Sequence, residues 1–340
     1  MKHTILILLS YLFFSCASNN NNTLHTPISL ETESETAIKY ANTIKKSELK
    51  EHLFIIASDK FNGRLTGEPG QKLTSEYLKN FYIANTIKSP YGEGDYYQEI
   101  ATEFLNPSLK PSENVLAFIE GTTKANEIIV ISAHLDHLGE KNGEIYNGAD
   151  DNGSGTAAIM EMAQAFKQAT LDGNGPKRSI LFLHVTGEEK GLLGSKYYSN
   201  HPVFPLEKTV ANLNIDMIGR VDDAHENNPE FIYLIGSDKL STDLHQISEA
   251  VNKKFTNLFL DYRYNSDNDP NRYYYRSDHY NFAKNNIPVI FYFNGTHQDY
   301  HEPSDTPDKI NYDLLAKRTK LIFYTTWELA NREQRITLNN

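Results

Sequence analysis

Apolar positions along this chain follow two periods, and from residue 114 onward the two alternate. Residues 115–119 form a short apolar run, and 127–133 (Glu-Ile-Ile-Val-Ile-Ser-Ala) a continuous one of the kind buried on both faces of a sheet. Runs of the same type recur at 179–185, 210–215, 231–235 and 287–293, the last with Pro288 near its start, where a strand tolerates it. Between them, 156–168 sets Ile159, Met162, Ala163 and Phe166 on one face of a helix. Residues 240–255 and 312–332 also have helical spacing. Strands alternating with helices predict an α/β layer fold around a mostly parallel sheet. Upstream, helical spacing appears at 46–56 (Leu49, Leu53, Ile56) and at 73–82, separated by a turn-rich connector that contains Gly63, Gly67 and Gly70. Residues 91–113, broken by Gly, Pro and Ser, read as irregular. No repeat and no shift in composition marks a second domain.

The same pattern says where chemistry can sit, because ligands in such sheets bind beyond the carboxyl ends of the strands. His134-Leu135-Asp136-His137 follows the run that ends at Ala133, and Gly187-Glu188-Glu189 follows the run that ends near Val185. Asp216 follows the run ending at Ile215, and His301 comes a few residues after the one ending at Phe293. Asp150 and Asp151 lie in a Gly-rich turn, Asn-Gly-Ala-Asp-Asp-Asn-Gly-Ser-Gly-Thr, with a helical pattern directly after it. Read alone, that acidic pair serves equally as a helix cap. Together with the others it collects imidazoles and carboxylates on one rim of the sheet. A donor set of His and carboxylate without Cys suits zinc or a similar divalent ion. A carboxylate can also bridge two ions roughly 3.5–4 Å apart, an arrangement suited to hydrolysis.

Composition removes other options. The 340 residues are 39 % hydrophobic, enough for an ordinary core, and the net charge of −11 argues against nucleic acid, whose phosphates need a basic face. A single Cys excludes an internal disulfide framework. That residue, Cys16, ends a segment with Lys2, an apolar run from Ile5 to Leu9, and Ser15-Cys16-Ala17 at the junction. The segment predicts a signal peptide over 1–16, too short to span a bilayer comfortably. Its junction resembles a bacterial lipobox, with Phe13 in place of the usual Leu, and implies a lipid-anchored protein of the cell envelope. Plain secretion with an unmodified Cys is the alternative. The polar stretch after it predicts a tether over 17–45, followed by one catalytic domain over 46–335.

Taken in order, His134-Leu135-Asp136-His137, Gly148 to Gly155, Gly187-Glu188-Glu189, Asn214-Ile215-Asp216 and Tyr300-His301 with Ser304-Asp305-Thr306 resemble the M28 family of zinc aminopeptidases. Ser277-Asp278-His279 and Gly63-Arg64-Leu65-Thr66-Gly67 extend the resemblance over nearly all of residues 46–332. It implies a single-domain three-layer sandwich, with a mixed, mostly parallel twisted sheet between helices. It implies two Zn2+, one on His134, Asp151 and Asp216, the other on Asp151, Glu189 and His301, with Asp151 shared. Glu188 matches the family's general base, Asp136 the carboxylate that orients the first His, and Tyr300 a Tyr that in some members steadies the oxyanion. His137 matches no ligand position and is expected at the lip of the site; His184, inside a strand, reads as a core histidine. Glu302 departs from the family, which often has Thr there. The implied activity is removal of N-terminal residues from peptides. A glutaminyl cyclase on the same fold, a carboxypeptidase-type member using Arg220, Arg272 or Arg276, and a binding module with a dead site are the rivals.

Overall fold

Long β-branched and apolar runs build the centre of the molecule, and everything that carries chemistry hangs from their ends. A computed structural model describes residues 28–92 and 94–339; the expected signal peptide and Cys16 lie outside the described residues. In chain order the N-terminal third contains helices α1 (Ser34–Ala41), α2 (Lys46–Ile56) and α3 (Pro69–Ala84), strand β1 (Tyr97–Ile100), the short helix α4 (Thr102–Leu105) and strand β2 (Ser112–Ile119). Then come β3 (Lys124–His134), a small ribbon of β4 (Gly139–Lys141) and β5 (Glu144–Tyr146), helix α5 (Gly155–Leu171), β6 (Arg178–Val185), α6 (Leu193–Asn200) and β7 (Thr209–Ile215). The C-terminal part adds β8 (Phe231–Ile235), α7 (Thr242–Val251), β9 (Phe259–Asp261), α8 (His279–Ala283), β10 (Val289–Phe293) and α9 (Tyr312–Asn331).

Eight strands form one sheet in the order β1-β2-β6-β3-β7-β10-β8-β9. The four central strands, β6, β3, β7 and β10, run parallel, whereas β2 and β8 join them antiparallel. The sheet is therefore mixed and mostly parallel, as expected. Alternate side chains of a strand face opposite layers. Ile129 and Ile131 of β3 pack with Phe182 of β6, Ile159, Met162 and Phe166 of α5, and Ile322 and Trp327 of α9. Ile128 and Val130 turn the other way, toward Leu181, Leu183, Tyr198 of α6 and Phe282 of α8. Helices cover both faces, so the strands can be apolar throughout. Among the described residues no helix is long and apolar enough to cross a membrane.

One expected boundary differs. Residues 34–41, placed in the tether by composition, form α1. Ala37, Tyr40 and Ala41, spaced as a helix stripe, are buried, and Tyr40 stacks on Trp327 with ring centroids 5.6 Å apart. Part of the stretch read as irregular is ordered as well: β1 pairs with β2 from Tyr97 to Ile100.

His184 lies fully buried in β6 with Nε2 2.6 Å from the Tyr82 hydroxyl. Burial pushes its pKa down from 6.5 to about 3, and burial does the same to His279 of α8. Both rings are neutral in the fold at a pH where the unfolded chain would already protonate them. Their contribution to stability is present above about pH 6.5 and is lost as pH falls toward about 3, at about 1.4 kcal/mol per pH unit for each ring. Urea titrations should show the unfolding free energy of the wild type dropping through this window. His279→Phe, which keeps a ring against Phe291, should drop less steeply by about one proton. Equal slopes for the two proteins would rule this contribution out.

Candidate metal centre

Because β3, β6, β7 and β10 are parallel, their C-terminal ends share one rim. β3 delivers His134 as its last residue. The main-chain N–H of Leu135 still bonds to the Val185 carbonyl at 2.8 Å, and the chain then bends away, held where His137 N–H meets the Arg64 carbonyl. After β6, Gly187 takes a positive φ of 66° and turns Glu188 and Glu189 over the strand ends. Asp216 comes directly after β7, where Ser277 donates to its Oδ2 at 2.6 Å. His301 arrives from the loop after β10.

The acidic turn before α5 is held from three directions. The Asp305 carboxylate accepts the N–H groups of Asp150 and Asp151 at 3.0–3.1 Å. Asp150 points away from the rim and accepts from Gly219 N–H at 2.6 Å, with His297 Nε2 at 3.1 Å. Asp150 thus orients the turn. Arg64, almost fully buried, donates to the carbonyls of Ile56, Leu135, Asn147 and Gly148. Its guanidinium ties the β3 bend to the turn.

These constraints bring the donor atoms together. His134 Nε2 lies 3.2 Å from Asp151 Oδ1, 3.4 Å from Asp216 Oδ1 and 4.0 Å from Glu188 Oε2. On the other side, His301 Nε2 lies 3.0 Å from Asp151 Oδ2 and 3.4 Å from Glu189 Oε2. Asp151 therefore faces both histidines, one with each oxygen. Two sets of three could each hold a cation: His134, Glu188 and Asp216, and His137, Asp151 and Glu189, with the donor atoms of each set within 4.8 Å of one another. His137 is the surprise. Expected at the lip, it is fully buried, and its Nδ1 lies 2.8 Å from Glu189 Oε1.

Asp136 also differs in detail from the expected arrangement. His134 Nδ1 faces the Asp136 main-chain carbonyl at 3.1 Å, with the carboxylate farther off at 3.9 Å. That carboxylate instead accepts from the Thr66 hydroxyl at 2.7 Å and from Glu188 N–H at 3.2 Å. Asp136 steadies the turn that carries Glu188 at least as directly as it steadies the imidazole. Thr66, Ser277 and Asp305 were visible in the sequence only as parts of longer stretches, and nothing local assigned them these contacts.

The electrostatics ask for positive charge. Among the described residues, no Lys or Arg pairs with Asp151, Glu188, Glu189 or Asp216; only imidazoles do. Buried carboxylates without cationic partners are costly, so such a cluster fits a cation. Burial pushes the Glu188 carboxyl well above its usual range, and the neighbouring Asp216, Glu189 and Asp278 push the same way against His134. Burial and Asp151 push Glu189 up too, but His137 and His301 outweigh them and hold it at about 2. Burial opposes the charge on His301, yet Asp151 and Glu189 raise it to about 10. Imidazoles thus take up protons where a metal ion would compete for the same place.

A cavity of about 40 Å³ opens beside the carboxylates. Glu188, Asp216 and His301 line it together with the apolar and aromatic Met217, Tyr273, Phe291 and Phe293 and with Tyr300 and Arg276. Burial and the surrounding carboxylates raise the Tyr300 phenol, so it stays a proton donor.

Known proteins share this framework. The model of peptidase family M28 matches residues 114–326. A probable leucine aminopeptidase of Trichophyton verrucosum is 30 % identical over 246 residues, 70 % of this chain and 62 % of that protein. This chain thus spans less than two thirds of the relative's length. The LapA aminopeptidase of Legionella pneumophila superposes with a TM-score of 0.70 at 22 % identity, covering 97 % of this chain and 81 % of its own. BSAP, a zinc aminopeptidase from Bacillus subtilis, gives 0.65 at 16 % identity, covering 86 % and 98 %. The two solved structures share the fold. The family match runs from β2 into α9 and takes in the whole rim of strand ends, with Arg64 and Thr66, which hold the β3 bend and Asp136, lying upstream of it, and on that ground the chain belongs to peptidase family M28.

Proposed function

We propose that this protein is a two-zinc aminopeptidase that removes residues from the N-termini of peptides. The observation that carries the reading is Asp151, which presents one oxygen to His134 and the other to His301 in a carboxylate cluster with no Lys or Arg partner among the described residues. His134, Asp151 and Asp216 would hold one ion, and Asp151, Glu189 and His301 the other. When bound, such ions lower the pKa of a water toward neutrality and polarise a carbonyl. Glu188, beside both groups, takes a proton from the attacking water and passes it to the leaving amine. Asp136 positions Glu188 through its N–H. Tyr300 donates a hydrogen bond toward the oxygen that gains charge. The crowd of carboxylates attracts the substrate's α-ammonium, and the apolar wall of Met217, Phe291 and Phe293 receives an apolar first side chain.

A free α-amine should therefore be required. N-acetylated peptides should show kcat/KM lower by at least about 10²-fold, because anchoring at the amine is what aligns the first carbonyl. Mass spectrometry should show a Leu- or Ala-initiated peptide shortening one residue at a time. Equal cutting of free and acetylated peptides would sink the reading. A cyclase would make a Gln-initiated peptide lose ammonia at constant length. A carboxypeptidase reading has one observation in its favour: Arg276 lines the cavity, 4.8 Å over the Tyr273 ring, whereas Arg220 is paired with Asp299. Loss of activity on C-terminally amidated peptides would favour that alternative.

Export and lipid attachment at Cys16 belong to the same reading, supported by the basic start, the apolar run and the Ser-Cys-Ala junction. Cys16→Ala should move the enzyme from the membrane fraction to the soluble one with catalysis intact; a wild type already soluble and unmodified rejects the anchor.

A further inference from the structure

We infer that His137 is a fourth protein ligand in the half of the centre formed by Asp151, Glu189 and His301, closing that half and leaving the open coordination position on the His134–Asp216 side. The inference rests on the two-zinc reading above.

His137 is fixed by its surroundings. Its N–H bonds to the Arg64 carbonyl at 3.2 Å, and its residue bridges to Leu65. The ring packs against Gly148, where a Cβ would stand 2.4 Å from Cδ2 and 2.5 Å from Cγ. Any side chain at 148 would displace the ring, so the glycine sets its position. With that side occupied, Nδ1 faces the carboxylates, 2.8 Å from Glu189 Oε1 and 3.8 Å from Asp151 Oδ2. The His301 ring stands 5.8 Å away at 64°, so the two imidazoles approach the same pair of carboxylates from different directions.

The polar accounting points to a metal ligand. His137 is fully buried, yet among the described residues neither of its nitrogens has a hydrogen-bond partner, and Glu189 Oε1 has none either. The short Nδ1–Oε1 approach is not aligned as a hydrogen bond. Buried polar atoms left in this state are costly. A cation that takes the Nδ1 lone pair and Oε1 together satisfies both.

The consequence is a division of labour. Two imidazoles and two carboxylates fill the four positions that zinc favours in closed sites, whereas sites that do chemistry keep a position free. His134, Asp151 and Asp216 supply three donors, and Glu188 stands beside them, 4.0 Å from His134 Nε2. The additional imidazole also favours zinc over magnesium or manganese in the closed half, since those ions prefer oxygen.

Zinc-edge X-ray absorption on wild type carrying two ions should count three imidazoles shared between them rather than two. His137→Ala should return the count to two and weaken the tighter zinc by more than the ~10–100-fold typical of losing a group that only supports a ligand. His137→Gln keeps a donor for Glu189 but is a poor ligand, so it should behave like the Ala variant in chelator competition. Two imidazoles in the wild type with both ions bound, or recovery of affinity to within ~10-fold in His137→Gln, overturns the inference and leaves the two-zinc reading standing. A wild type that never binds two ions rejects both.

Discussion

Glu188→Gln is expected to keep the full metal content while kcat falls by about 10²–10⁴-fold. Gln preserves the size of the side chain and its place on the turn, whose N–H bonds to Asp136 at 3.2 Å. It cannot accept a proton. Burial already raises the proton affinity of Glu188, and Asp216, Glu189 and Asp278 add to it. Nearby cations would draw that affinity back down, and a carboxylate balanced in this way can both take and release a proton. Glu189→Gln is expected to do something different. Glu189 lies between His137 and His301 at 2.8 and 3.4 Å, and the amide offers a neutral, weaker donor atom there. Metal affinity should fall first, and added zinc should recover part of the activity. Metal analysis and kinetics on the two variants separate the roles. If Glu188→Gln loses metal while Glu189→Gln keeps it, the pair is assigned the wrong way round.

Asp151→Ala is expected to lose at least one ion and at least about 10³-fold in rate, since electrostatic stabilisation by bound ions supplies several kcal/mol. One side chain here does work for two places. Oδ1 is 3.2 Å from His134 and Oδ2 is 3.0 Å from His301, and among the described residues no other carboxylate pairs with both. Asp150 is adjacent in sequence but is committed to Gly219 and His297. It cannot step in without breaking the turn. The main chain at 151 should hold, because Asp305 grips its N–H independently of the side chain. The variant should therefore fold, and the rise in Tm that zinc produces in the wild type should shrink, as linkage requires when the folded state binds ligand less tightly. Retention of two ions in this variant would remove Asp151 from the bridging role.

Much of this architecture is legible before any coordinates. Strands β3, β6, β7 and β10 announce themselves because helices cover both faces of the sheet, so their sequences are apolar without alternation. Helix α2 carries Leu49, Leu53 and Ile56 at helical spacing, and its bounds, Lys46–Ile56, are those the spacing predicts. Elements stabilised mainly by what they touch are harder to see. β1 is a four-residue edge strand with a mixed burial pattern, and β9 has three residues. α6, Leu-Gly-Ser-Lys-Tyr-Tyr-Ser-Asn, has little intrinsic helical preference and is anchored by buried Tyr198. α1 follows a polar stretch, and its short stripe has meaning only once α5 and α9 are there to receive it.

The sequence by itself determined which residue types stand after which strands, because the period of apolar positions reveals the strands and parallel strands share a rim. That is enough to gather His134, Asp136, His137, Asp150, Asp151, Glu188, Glu189, Asp216 and His301 on one rim, from which the resemblance to family M28 singles out His134, Asp151, Glu188, Glu189, Asp216 and His301. The tertiary structure alone decided which atoms meet. Asp305 caps a turn 154 residues away in the chain, and Thr66 reaches Asp136 across 70. Whether His137 is lip or interior depends on a bend set by Arg64 and on the bare face of Gly148. A local pattern records which face of an element is buried. Distances between elements depend on register, crossover and packing, and these are settled only when the whole core closes.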